Sequence, residues 1–398
     1  MSVSAAQVRV PAPREDPLGL PVDYTRLRET EPVSRVMMPN GQEAWLVTRH
    51  AEAKAVLAEP DLFSSDRRQE GKPKRTFNDV VVESILFLDP PDHTRLRGLI
   101  AGRFSGKRMT ELAPRARRIT DDLLDDMISV GPPADLVAAV NESVPLRVIC
   151  EILGVPYDDH ALFHRWVDVA TNFGEQTEDN FRRTMADFRE YMEDVVAAKR
   201  RDPGDDLVSE LVGERDTNGS LRHDELISLS ILLMIAGHDN TAATLGLGEI
   251  MLLKQPEQFA RLATDGSALT GAVEEVLRHQ AIVHLGRPRV ATRDCEVGGT
   301  PIRQGDAVVV MLPAANRDPR VFDEPERFDI SRKPNPHIGF GHGIHHCVGH
   351  ALARMELRAV FERLAARLPE LRLAEPVAGL DWRQGYNAYG VRTVPVTW

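Results

Sequence analysis

The densest cluster of chemistry-bearing residues in this chain is Phe340-Gly-His-Gly-Ile-His-His-Cys-Val-Gly349, one cysteine framed by three glycines and three histidines. Gly341 and Gly343 permit backbone angles closed to other residues, and Gly349 lets the chain pass close to a flat group. Beyond Cys347, the residues Val348, Leu352, Met355, Val360 and Leu364 recur at helical spacing. That places the sulfur at a helix start, where the thiolate is the favoured form. A tight loop of this kind aims one sulfur at a large planar ligand. The same residues admit two plainer readings, a buried structural cysteine or a zinc site built from His342, His345, His346 and Cys347. Zinc sites normally use spaced Cys and His pairs, and no Cys-x-x-Cys element occurs in the chain.

Other reactive residues are spaced for helices. His93 and Arg97 are four apart, so they share one helical face suited to gripping an anion, or to a plain surface ion pair. Pro90 and Pro91 preset the entry to that helix, with Asp92 as its expected N-cap. Asp239 lies inside an apolar run over 223–253, which predicts a helix about 45 Å long. A carboxylate buried there is costly unless paired or functional. Glu275 and Arg278 stand one helical turn apart, but Glu324 and Arg327 repeat the same spacing, so the pair alone is weak.

Taken in order, these segments resemble the cytochrome P450 superfamily of the soluble bacterial type. Residues 340–349 meet its haem-binding pattern, Phe-Gly-x-Gly-x-(Arg/His)-x-Cys-x-Gly, with Phe340, Gly341, His345, Cys347 and Gly349 in place. The resemblance implies haem b with Cys347 as the metal ligand. It implies His93, Arg97 and Arg289 as propionate holders. Glu275, Arg278 and Arg327 would form a buried structural network, Arg327 coming from the Pro325-Glu-Arg-Phe328 element. Ala236-Gly-His-Asp-Asn-Thr241 resembles the family's oxygen-binding motif, so Ala236 and Gly237 would border the haem, with Gly237 leaving room beside the iron. Asp239, Asn240 and Thr241 are the catalytic candidates. The motif normally has Thr after the acid, and this chain has Asn240. Thr241 points about 100° away around the helix, and Asn is a poor proton carrier.

The implied activity is that of a haem-thiolate monooxygenase (an oxidoreductase) acting on a small organic substrate, with secondary metabolism as the expected setting. Two rivals are oxidative aromatic coupling without oxygen insertion, suggested by Asn240, and a haem carrier or sensor without turnover. Electrons are expected from NAD(P)H through a separate ferredoxin reductase and ferredoxin, since no Gly-x-Gly-x-x-Gly motif is present. Arginines 354, 358, 363 and 367, and a second cluster at Arg103, Lys107 and Arg108, offer a basic face for such a partner.

The elements that must position these groups are mostly helices. Helical patterning runs from Ala113 to about Arg201, with breaks at 131–133, 154–156 and Gly174. The resemblance implies a substrate-access lid from the helices around 159–173 and 180–199. There Phe163, Trp166, Val169, Phe173, Phe181 and Phe188 supply apolar surface that packs the helices or, at one or two positions, touches substrate. Strands are expected at Ala44–Thr48, Arg289–Thr292 and Ala307–Leu312, with Gly298-Gly299 as a hairpin turn. Residues 1–40 read as irregular apart from a short helix at 24–29. Residues 63–87 read as a long functional loop, with Phe77, Val80, Val81, Ile85 and Leu86 as pocket-wall candidates. The resemblance places residues 282–287 over the substrate face, where His284 and Arg287 are polar entries that either read a polar substrate group or serve the haem, and the last 30 residues are expected to send a hairpin tip to the pocket. The fold class is mainly α with small β-sheet regions, a single large domain over 1–398.

Composition is that of an ordinary globular protein, with 42% hydrophobic and 27% charged residues. The net charge of −11 argues against nucleic acid as a partner. Three scattered cysteines provide no disulfide framework. The longest uninterrupted apolar runs are too short to span a bilayer, and the N-terminus has no signal-like apolar core. A cytoplasmic protein with no membrane partner is expected.

Overall fold

The computed structural model describes residues 8–66, 84–174 and 176–398. Its helices, in chain order, are α1 (Val22–Thr30), α2 (His50–Ala58), α3 (Asp92–Ala101), α4 (Gly106–Val130), α5 (Ser143–Leu153), α6 (His160–Thr171), α7 (Glu178–Arg201), α8 (Leu207–Asn218), α9 (His223–Leu253), α10 (Pro256–Arg261), α11 (Gly266–His279), α12 (Leu312–Ala315) and α13 (His350–Arg367). The strands are β1 (Val33–Met37), β2 (Glu43–Val47), β3 (Phe63–Ser64), β4 (Ala134–Asp135), β5 (Arg287–Ala291), β6 (Cys295–Val297), β7 (Thr300–Ile302), β8 (Ala307–Val310), β9 (Arg372–Leu373) and β10 (Pro395–Thr397).

Helix α9 is the axis of the molecule. It packs against α5, α6, α7, α11 and α13, and its apolar residues are buried nearly all round. By length and composition it could cross a membrane, yet 67% of its most apolar window is buried inside the fold. Small residues let the neighbours come close: a Cβ at Gly248 would lie 2.6 Å from Phe361 of α13, and one at Gly246 3.1 Å from Val391. Charge enters this core only with a partner or a neutral form. Glu249 accepts from Asn141 Nδ2 at 2.7 Å, and burial pushes its pKa up to about 8.

Beside the helices stands a five-stranded sheet of order β1-β2-β8-β5-β3. β5 lies antiparallel to β8, with Arg287 opposite Val310 and Arg289 opposite Val308. Side chains alternate along a strand, so Arg287 and Arg289 leave β5 on one face. Val308 and Val310 on that face pack with Leu57 and Ile338 in a second apolar cluster. The β6–β7 hairpin turns at Gly298-Gly299 as expected, both with positive φ.

Three local expectations change. Residues 22–37 are α1 and β1, because Val33 and Val36 are buried where β1 pairs with β2, a tertiary gain that short periodicity does not announce. Helix α8 is additional, started by Asp206, whose side chain accepts from Ser209 N at 2.8 Å. Asp92 is the first helical residue of α3 and not its cap, which is Pro91 with no side-chain bond.

Candidate active site

The loop before α13 is fixed by its backbone. Cys347 N donates to Phe340 O at 2.9 Å, Gly341 N to Ile338 O at 2.8 Å and His346 N to Gly343 O at 3.0 Å. Gly343 has φ +71°, and a Cβ there would collide with the carbonyl oxygen of Leu57, so the loop lies directly on α2. Helix α13 starts at His350 with Gly349 as its N-cap. The Gly349 N–H and the charges of Arg287, Arg97 and Arg354 favour the thiolate of Cys347, but burial outweighs them and holds the thiol pKa up. Metal coordination would favour the thiolate further. Among the described residues no group of three or more His, Cys, Asp or Glu is arranged for a metal, which removes the zinc alternative.

Arg97, Arg287 and Arg354 lie within electrostatic reach of the sulfur. His93 is buried, its ring 4.3 Å from that of His345, and its Nδ1 has no hydrogen-bond partner among the described residues. Arg97 donates from Nη2 to His346 O at 2.7 Å. Arg289 is buried and donates to its neighbour Pro288 O at 2.8 Å; burial, then Arg287, lowers its pKa to about 10. His284, by contrast, is engaged with Tyr386 O at 2.6 Å.

The middle of α9 is held by the C-terminal segment. Asp239 is buried and ion-paired through Oδ1 with Arg383, while its Oδ2 has no partner among the described residues. Burial raises the Asp239 pKa against the pull of Arg383. Asn240 Nδ2 donates back to Ala236 O at 3.3 Å, and its own carbonyl accepts from Thr244 at 2.8 Å. Thr241 faces Glu356 of α13, a buried acid whose pKa burial lifts well above normal. The space at Gly237 is filled from α5, since a Cβ there would lie 2.8 Å from Ile149. That glycine serves the α5–α9 crossing, which corrects the expectation that it opens room beside the iron.

Behind the cysteine loop, Glu275 and Arg278 form a two-bond pair, 2.8 Å each, with both side chains 0% exposed. Arg278 also donates to the carbonyls of Asn316, Pro325 and Arg327. The third member of this network is Arg332, which donates to Glu275 Oε1 at 3.2 Å. Arg327 is not: its side chain is 62% exposed and pairs with Glu324. Sequence pattern picked the wrong arginine because only burial separates them. It also passed over Glu274, which holds Arg354 at 2.7 and 2.9 Å and His337 at 2.9 Å, tying α11 to α13 and the loop.

The expected basic face is largely neutralised. Arg363 and Arg367 pair with Asp121 and Asp125, Arg103 with Glu210 and Asp205, and Arg358 donates to Thr270. Among the wall candidates, Ile85 is core and Leu86 is exposed; Phe77, Val80 and Val81 lie outside the described residues. Phe163 and Trp166 pack with Tyr191, and Trp166 stacks on Phe188, joining α6 to α7. The C-terminal hairpin closes at Trp382–Val391, and its tip meets the α6 end through Asn387 N to Thr171 O at 2.9 Å. A cleft of about 770 Å³ opens there, lined by Asn172, Trp382, Tyr386 and Arg392. A larger cleft of about 970 Å³, around Gln255, Arg261 and Asp329, includes neither Cys347 nor Asp239 and is set aside as a surface feature.

A cytochrome P450 family model matches residues 20–368. The chain is 41% identical over 376 residues to the mycinamicin IV hydroxylase/epoxidase of Micromonospora griseorubida, covering 94% of each. It is 40% identical over 391 residues to the nocardicin C N-oxygenase of Nocardia uniformis subsp. tsuyamanensis, covering 97% of this chain and 98% of that protein. Among solved structures it is similar to the putative thioether synthase SgvP of griseoviridin tailoring, with TM-score 0.94, 38% identity and coverage of 99% of this chain and 100% of that one. The chain belongs to the cytochrome P450 family. It has that family's fold, and it is a haem-thiolate monooxygenase fed with electrons by separate redox proteins.

Proposed function

We propose that the Cys347 thiolate would hold the iron of haem b, that His93, Arg97 and Arg289 would hold its propionates, and that Asp239 and Asn240 would serve the oxygen side. The observation that carries this reading is a half-buried thiol within electrostatic reach of Arg97 and Arg287, in a loop whose His345 packs on the ring of His93, whose Nδ1 has no partner among the described residues. A metal macrocycle bearing two carboxylates fits that donor set: the sulfur takes the metal, and the cations with the free His93 nitrogen take the carboxylates. The bound haem would activate dioxygen, the thiolate's electron donation favouring O–O cleavage.

The remaining chemistry falls to this chain's own side chains. Asp239 is held through one oxygen by Arg383 and keeps Oδ2 free, so it can hold a proton at that atom. Asn240 is tethered to the helix through Nδ2, which leaves Oδ1 as an acceptor that orients water or substrate without transferring a proton. Thr241 is turned to Glu356 and does not stand in for the missing alcohol.

The substrate is a small organic molecule of secondary metabolism, consistent with relatives named for mycinamicin IV and nocardicin C. Hydroxylation, epoxidation and N-oxygenation in those names support oxygen insertion over oxidative coupling. The reading includes a cytoplasmic enzyme served by ferredoxin and ferredoxin reductase. The test is the spectrum of the reduced protein under carbon monoxide: wild type gives the red-shifted thiolate Soret band and Cys347→Ser loses it. Retention of that band in the variant overturns the ligand assignment. With ferredoxin, reductase and NADPH supplied, substrate-dependent oxygen uptake with a product one oxygen heavier supports monooxygenation. A coupled product without added oxygen, or no turnover, favours the coupling or carrier readings.

A further inference from the structure

Arg287 is the cation that the haem reading leaves over. It opens β5 and projects on the same face as Arg289, toward the apolar cluster that contains Ile338 of the cysteine loop. Among the described residues its guanidinium makes no hydrogen bond and no ion pair, whereas Arg97 and Arg289 each hold a backbone carbonyl. It keeps partial accessibility although the other residues of β5, Pro288 to Ala291, are buried. Burial pulls its pKa down, and the group it senses electrostatically is Cys347. On the haem reading, Arg97 and Arg289 would balance the two propionates, with His93 as a further hydrogen-bonding partner. Among the described residues no carboxylate pairs with Arg287. Its neighbour in the same segment, His284, is committed to Tyr386 and cannot share the task. Withdrawing a guanidinium even partly from water without a partner is costly, and its planar fork matches a carboxylate with two parallel bonds.

We propose that Arg287 is a specificity-determining residue that anchors a carboxylate of the substrate, so that this enzyme takes small organic acids in their ionised form. The proposal rests on the haem-thiolate reading of the same site and adds the substrate class. Its test uses the holoenzyme and N-linked imidazolyl alkanoic acids in a chain-length series from acetate to octanoate, each beside its primary amide. The imidazole coordinates iron and shifts the Soret band, so binding is read without knowing the substrate. At one or more chain lengths the acid binds wild type at least about tenfold more tightly than its amide, the size expected of a charge-assisted pair. Arg287→Leu loses that preference and Arg287→Lys keeps part of it, with the carbon monoxide spectrum unchanged in both. Equal binding of acid and amide at every length in wild type overturns the proposal. So does a preference that survives in Arg287→Leu, or loss of haem from both variants, which would assign the guanidinium to the propionates. Absence of any imidazole shift would instead overturn the haem site itself, and this proposal with it.

Discussion

The cysteine loop and the middle of α9 are both short motifs, but they are built in different ways. The loop is shaped by its own backbone: positive φ at Gly341 and Gly343, and hydrogen bonds that close within ten residues. The α9 segment is an unbroken helix whose character depends on side chains brought from elsewhere, Arg383 for Asp239 and Ile149 for Gly237. Backbone requirements leave a local mark because few residues can meet them. Side-chain partnerships across 144 residues, as between Asp239 and Arg383, leave none.

The largest effect is expected behind the loop, where its support is a buried ion pair. Arg278→Ala leaves the Glu275 carboxylate buried with Arg332, Asn335 and the Asp329 N–H as its remaining partners. Breaking such a pair costs about 3–5 kcal/mol. Urea unfolding followed together with haem retention measures it, and a cost under about 1 kcal/mol would mean that the loop does not lean on this network.

Next in size is a test of the backbone argument itself. Gly343→Ala asks an L-residue to adopt φ +71° while its methyl meets the Leu57 carbonyl. Strain of that kind is worth about 1–3 kcal/mol. A lowered melting temperature and a fraction of protein lacking the thiolate band are the expected result. An unchanged protein would show that the loop can move off α2.

On the α9 side the expected change is in chemistry more than in stability. Asn240→Thr places a hydroxyl where the helix now carries an amide, with the Ala236 carbonyl four residues back still able to accept its proton. A hydroxyl can pass a proton and an amide passes one poorly. We expect the ratio of product to NADPH consumed to shift by about a few-fold, well short of the 10²–10⁴ of a complete general acid. An unchanged ratio would remove position 240 from the proton path and sharpen the contrast between a fixed sulfur side and a tolerant oxygen side.

Legibility in the sequence follows the same division. The long helix at His223–Leu253, the breaks at Gly131 and Gly154 and the Gly298-Gly299 turn were all local signals, and all three stand. The architecture of the cysteine loop was legible because glycine and one reactive sulfur mark it. β1 was missed because its stability comes from pairing with β2, outside any window around it. Arg332, Glu274, Arg383 and Glu356 were missed for a related reason: each acts by being brought beside a group distant in sequence.

The smallest predicted effect is the most direct check on that lesson. Glu324 and Arg327 repeat the spacing of Glu275 and Arg278 and form the same kind of pair, at 3.1 Å. Their side chains are 72% and 62% exposed, so solvent screens the pair and competes for its hydrogen bonds. Arg327→Ala should change stability by less than about 0.5 kcal/mol, because what Arg278 uses at residue 327 is the main-chain carbonyl, which alanine keeps. Urea unfolding of the two alanine variants side by side measures the contrast. A cost at Arg327 approaching that at Arg278 would mean that its side chain enters the buried network in solution, and that the motif, rather than its depth, carries the stability.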